Sequence, residues 1–165
     1  MTSGNILVSA CLLGHKVRYD GTAKTILHTV LEKWQQEGRL IALCPEVSAG
    51  FATPRAAAEI ADGLSGEEVL VGKARVLDAL GADVTHLFIA AAEIALETAL
   101  ANHCHYALLT DGSPSCGSQF IYDGRFQNRS HAGHGVTAAL LRSHSIEVFA
   151  HTEIDNLVAQ VKDRP

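Results

Sequence analysis

Three cysteines stand just past apolar runs of the chain. Cys11 follows Asn5–Ala10, Cys44 follows Leu40–Leu43, and Cys116 lies a short loop beyond Tyr106–Leu109. The fourth, Cys104, precedes the last of these runs. A thiolate is a nucleophile and a soft metal ligand. Three of them in one place could bind zinc, with one of the nine histidines as fourth ligand. They could equally hold a 4Fe–4S cluster with one iron left open, since a closed cluster takes four cysteines. No CxxC pair is present, which counts against a zinc ribbon or a two-cysteine redox motif. His103 and His105, beside Cys104, read as basic residues at a helix end. His131 and His134 fall in a polar loop that could approach the cysteines.

The residues around the cysteines widen the choice of chemistry. "CPE" puts Glu46 two positions past Cys44, and Pro45 fixes one backbone dihedral between them. Glu46 reads either as a general base beside an electrophilic metal or as a helix cap. "SPSCG" offers two hydroxyls, Ser113 and Ser115, which can serve a turn or a substrate. Gly117 would let the backbone approach a ligand closely. "GHKVRYDG" carries Lys16 and Arg18 just after Cys11. Arg18 can grip a phosphate with two donors, or pair locally with Asp20. Arg55 and Glu59 carry the same ambiguity.

Elements able to position these residues follow from the apolar pattern. Asn5–Ala10, Leu40–Leu43, Tyr106–Leu109 and Ile146–Phe149 read as strands. Lys24–Glu37, Asp83–His103, Gly135–Ser143 and Glu153–Val161 carry three- and four-residue apolar spacing and read as helices. Pro54–Ala61 with Glu67–Lys73, around "DGLSG", reads as a hairpin or short excursion. Gln119–Tyr122 with Arg125–Gln127, flanking "DG", reads as a second hairpin. Apolar strands alternating with helices predict an α/β fold. Its expected form is a Rossmann-like open sheet, mainly parallel, with helices on both faces. Ligands of such sheets bind outside the carboxyl ends of the strands. Cys11, Cys44 and Cys116 would share that edge, whereas Cys104 would lie about 15 Å away at the other end of its strand.

The 165 residues suit one domain spanning 1–165. The net charge of 13 − 18 = −5 argues against binding a nucleic-acid polymer but allows a small anionic ligand. Met1–Asn5 lacks the basic and apolar pattern of a signal peptide, and no apolar stretch approaches the roughly 20 residues of a membrane span. A cytoplasmic protein is expected. Four cysteines in that compartment point to metal binding or catalysis rather than disulfides.

Taken in order, "VSACLLGHKVRYDG", "LCPEVSAGFATPRAAAEI", "LLTDGSPSCGS" and "GHGVTAALLRSHSIEVF" resemble the TudS-type thiouracil desulfidase family. The matching stretches cover most of the chain. The resemblance implies a 4Fe–4S cluster on Cys11, Cys44 and Cys116 with one open iron. It implies non-redox desulfuration of thiolated pyrimidines, 2-thiouracil or 4-thiouridine monophosphate from tRNA breakdown, with hydrogen sulfide released. Glu46 would take a proton from the attacking water, and Ser113 would help move a proton to the heterocycle. Two rival readings stand beside it. One is a zinc-dependent hydrolase on a nucleobase-like substrate, using the same cysteines, a histidine and Glu46. The other is a non-enzymatic iron–sulfur sensor. Oligomeric state and strand order are not legible.

Overall fold

Alternation along the first strand sets the plan of the molecule. In β1 (Asn5–Ser9), Ile6 and Val8 face one side and Leu7 the other, and all three are buried. The same alternation recurs in β5 (Cys104–Leu109), where Tyr106 and Leu108 oppose Ala107 and Leu109. A strand buried on both faces needs a layer on each, and this computed structural model, which describes residues 4–163, supplies them. β2 (Leu40–Leu43), β1, β5 and β8 (Glu147–Ala150) form a four-stranded, wholly parallel sheet in the order β2-β1-β5-β8. On one face, α1 (Thr29–Gln36) contributes Leu31 and Trp34, and α6 (Ile154–Asp163) contributes Ile154, Leu157 and Val161. On the other, α4 (Thr85–Ala101) brings Ala95 and Ala99, and α5 (Val136–Ser143) brings Ala138 and Leu141. The alanines let α4 lie close against the sheet.

A smaller core sits beside the sheet under two antiparallel hairpins. β3 (Ala58–Ile60) pairs with β4 (Val76–Asp78), and β6 (Phe120–Tyr122) pairs with β7 (Ser130–Ala132). Ile60, Val69, Val76, Phe88, Ile121 and Val136 pack together there. Chain order reverses between β1 and β5: β2 lies to one side of β1, β5 and β8 to the other. That switch point opens a crevice at the carboxyl ends of the strands.

Three expectations from the sequence need correction. Residues 24–28 are not helical. Lys24 and Ile26 instead donate backbone N–H bonds to Cys11 O and Leu12 O, at 2.9 and 3.0 Å, and His28 caps α1 by accepting from Val30 N. The stretch 67–73 is not a strand. Ser65 and Glu68 form a capping box that starts a short helix, α3 (Gly66–Leu70), and the partner of β3 comes later, at β4. The "DG" hairpin is wider than a two-residue turn: Asp123 N donates to Arg129 O, and β6 pairs with 130–132 rather than 125–127. The reading of Met1–Asn5 falls, for residues 1–3, outside the described residues. Among the described residues no helix is long and apolar enough to cross a membrane.

Candidate functional site

Each strand of the switch point hands one cysteine to the crevice. β1 runs into a tight turn, residues 10–13, that carries Cys11. β2 ends at Cys44, which precedes α2 (Pro45–Ser48) with Pro45 at its first helical position, where no backbone donor is missed. β5 continues into a loop that reaches Cys116. The three line a cavity of about 430 Å³, together with Glu46, Ser113, Arg18, Lys24, Arg55 and Asp111. Cys104 is the first residue of β5, at the opposite end of the sheet.

All four cysteines are free thiols, but their surroundings differ. Cys11 Sγ lies 2.8 Å from the Thr110 hydroxyl. Cys116 is hydrogen-bonded by the Ser9 hydroxyl, whose oxygen also accepts from Thr110 N at 3.0 Å. Cys44 receives the backbone N–H of Val47. Each of these three sulfurs thus has a donor suited to a thiolate. Burial pushes all three thiols up, and each negative sulfur would push the others further. Cys104 shows burial alone, which pushes it up to about 11, with no donor and no charged neighbour.

Thiols so costly to ionise in isolation suit a cationic group that would neutralise them together. Among the described residues, no three His, Cys, Asp or Glu side chains converge tightly enough for a single metal ion, and no histidine lines the cavity. The zinc arrangement therefore lacks its ligands. His134 is instead bound to Glu67 at 2.6 Å, and His131 to the Ala132 carbonyl. A cluster spreads its irons over a body rather than a point, and three separated thiols around a cavity fit that donor set.

Glu46 is largely buried, and its carboxylate meets Arg55 Nη2 at 3.5 Å. Burial pushes its carboxyl up, and the Arg55 guanidinium opposes the shift. Arg55 also donates to Val17 O, Ala52 O and the Thr53 hydroxyl, so it ties the Cys11 and Cys44 loops together. Glu59 does not pair with it; its carboxylate accepts from Gly124 N and Phe126 N.

The two serines separate cleanly. Ser113 lines the cavity, and its Oγ accepts from Ser115 N and Cys116 N, leaving its own proton free to donate. Ser115 is fully buried against Thr137 Oγ1 at 2.7 Å and does not line the cavity. Gly117 is packed inside the loop, where a Cβ would meet Ile121, Phe120 O and Ser113 O within 2.8 Å; close packing of the loop, not access to a ligand, requires it. Lys16 is exposed and away from the cavity. Arg18 lines it, with Lys24 as a second cation. Asp20 pairs with Thr22, not with Arg18.

Four residues escape the sequence reading: Ser9, Lys24, Thr110 and Asp111. Ser9 and Thr110 end strands, and Asp111 precedes glycine, so all three resemble ordinary strand-end and turn residues. Lys24 was read as part of a helix. Only the parallel register brings them together.

The fold and site define an α/β protein with a Rossmann-like sheet and a thiol-walled pocket at its switch point. The chain belongs to the 2-thiouracil desulfurase family, whose model matches residues 6–153. It is 40% identical over 156 residues to the uncharacterized protein YbbK of Bacillus subtilis (strain 168), covering 93% of this chain and 99% of that one. Its structure resembles that of a [4Fe-4S]-dependent thiouracil desulfidase, TudS, with a TM-score of 0.87 and 46% identity over 96% of this chain and 98% of that one.

Proposed function

We propose that this protein replaces the sulfur of a thiolated pyrimidine with oxygen from water, releasing hydrogen sulfide without net oxidation or reduction. The observation that carries the reading is the set of three buried free thiols, each with its own donor, around the cavity that also holds Glu46 and Ser113. The desulfidase it resembles is named as [4Fe-4S]-dependent. Such a cluster, held by Cys11, Cys44 and Cys116, would supply an open iron, a thiophilic Lewis acid for the substrate sulfur.

The chain's own groups do the rest. Glu46 takes a proton from the water that attacks the C=S carbon. Its bond to Arg55 fixes the carboxylate, as a base must be held within hydrogen-bond reach of the proton it removes. Ser113 donates its free hydroxyl proton toward the heterocycle. Arg18 and Lys24 give the cavity a cationic wall that suits the phosphate of a 4-thiouridine monophosphate. Water leaves as one proton on Glu46 and one oxygen on carbon, and both its protons depart with the sulfide.

The test is turnover by protein reconstituted with iron and sulfide under anaerobic conditions. Incubated with 2-thiouracil, it should form uracil and sulfide in equal amounts. Full iron loading without either product would favour a sensor instead.

A further inference from the structure

Asp111 lies on the loop between β5 and Cys116, and only 6% of it is exposed. One carboxylate oxygen, Oδ1, accepts four backbone N–H groups: Gly112 at 3.1 Å, Ser118 at 3.1 Å, Gln119 at 3.1 Å and Phe120 at 3.2 Å. Its own backbone N–H donates to His151 Nδ1 at 3.1 Å. Five bonds therefore fix this residue, and the loop is wound around one of its two oxygens. The other, Oδ2, has no hydrogen-bond partner among the described residues, although Asp111 lines the cavity beside Ser113. A nearly buried carboxylate oxygen left open is an acceptor awaiting a donor.

The geometry points to Asp111 as a specificity-determining residue whose free oxygen accepts the ring N3–H of the thiolated pyrimidine. This rests on the desulfidase reading above. N3 lies between C2 and C4 of the ring, so an acceptor for N3–H sits next to the reacting carbon of a 2-thio and of a 4-thio compound alike. Four N–H groups on Oδ1 prevent the carboxylate from turning away. Glu46, tied to Arg55, is left to the water.

Asp111→Asn gives a clean test, because the amide oxygen keeps the four N–H groups while an NH₂ donor replaces the free acceptor. The probes are 2-thiouridine, which carries N3–H, and 2-thiocytidine, whose N3 is an acceptor; the ribose on N1 stops the ring from turning over to present N1–H. Binding of both is measured on the anaerobic cluster-loaded protein, with iron counted in each sample. The unaltered protein should bind 2-thiouridine about tenfold or more tighter. Asp111→Asn should keep its iron and narrow or reverse that preference. An unchanged ratio in the variant would overturn the proposal. So would equal binding by the unaltered protein, a result that stands even if the variant fails to fold. If the unaltered protein turns over 2-thiouracil yet shows equal binding, only this inference falls. If it neither binds a thiopyrimidine nor releases sulfide, the desulfidase reading falls and takes this one with it.

Discussion

Glu46 and Ser113 carry the chemistry of the account, and their surroundings make them separable from the cluster ligands. Removal of a general base typically costs about 100- to 10,000-fold in rate. Glu46→Gln should therefore retain the visible absorption of the loaded protein and lose turnover by that order, as measured by sulfide release. Ser113→Ala should also lower kcat, whereas Ser115→Ala should act mainly on stability, by about 1 kcal/mol, because its hydroxyl bonds only Thr137. A thermal melt beside the rate assay distinguishes the two. The sequence carried both serines into view but could not rank them. They flank one proline, and which hydroxyl faces the cavity depends on how the loop closes around Asp111. Glu46 was legible from "CPE"; its partner Arg55 was legible only as one of two charges, since Glu59 looked equally able to pair with it.

At the scale of elements, the strand ends were the most readable part of the chain. Continuous apolar runs fixed β1, β2 and β5 and with them the shared edge of Cys11, Cys44 and Cys116. Helix α1 was misread because Ile26 and Leu27 continue its apolar spacing. Ile26 instead belongs to an extended stretch bonded to the Cys11 turn, and Leu27 is 87% exposed. The start of α3 was present in the Ser65–Glu68 pattern and was outweighed by "DG" and "SG". Loop packing was not legible at all. Gly135, at the start of α5, donates its N–H to Gly117 O, and a Cβ there would meet Ser115 C and O at 2.5 Å. Gly135→Ala should push the Cys116 loop out of place. Iron per chain after reconstitution should fall well below that of the unaltered protein, along with the melting temperature.

The whole molecule is acidic, with a net charge of −5, yet its cavity presents Arg18 and Lys24. That contrast predicts a preference for a phosphorylated substrate over a neutral one. A charge-assisted bond is worth about 1.5–3 kcal/mol, roughly 10- to 150-fold in kcat/KM if fully expressed. 4-Thiouridine monophosphate should be turned over more efficiently than 4-thiouridine, and Arg18→Ala should narrow the gap while sparing the nucleoside. Equal kcat/KM values for the two in the unaltered protein would remove the phosphate site. Charge and composition suggested such a ligand, but Lys24 entered the site only through the fold, and Lys16, the other cation expected there, points elsewhere. The strand order was equally out of reach, because pairing between segments some hundred residues apart leaves no local signal.

The claim on which the rest depends is that three particular cysteines, and not the fourth, hold the cluster. It is tested by counting iron after anaerobic reconstitution in Cys11→Ala, Cys44→Ala, Cys116→Ala and Cys104→Ala. The account predicts that Cys104→Ala binds as much iron as the unaltered protein, since Cys104 lies at the far end of β5 with burial as its only notable surrounding. Each of the other three should lose most of its iron and its visible absorption. A Cys104→Ala protein as depleted as Cys116→Ala, or full iron retained by any of the three crevice variants, would contradict it.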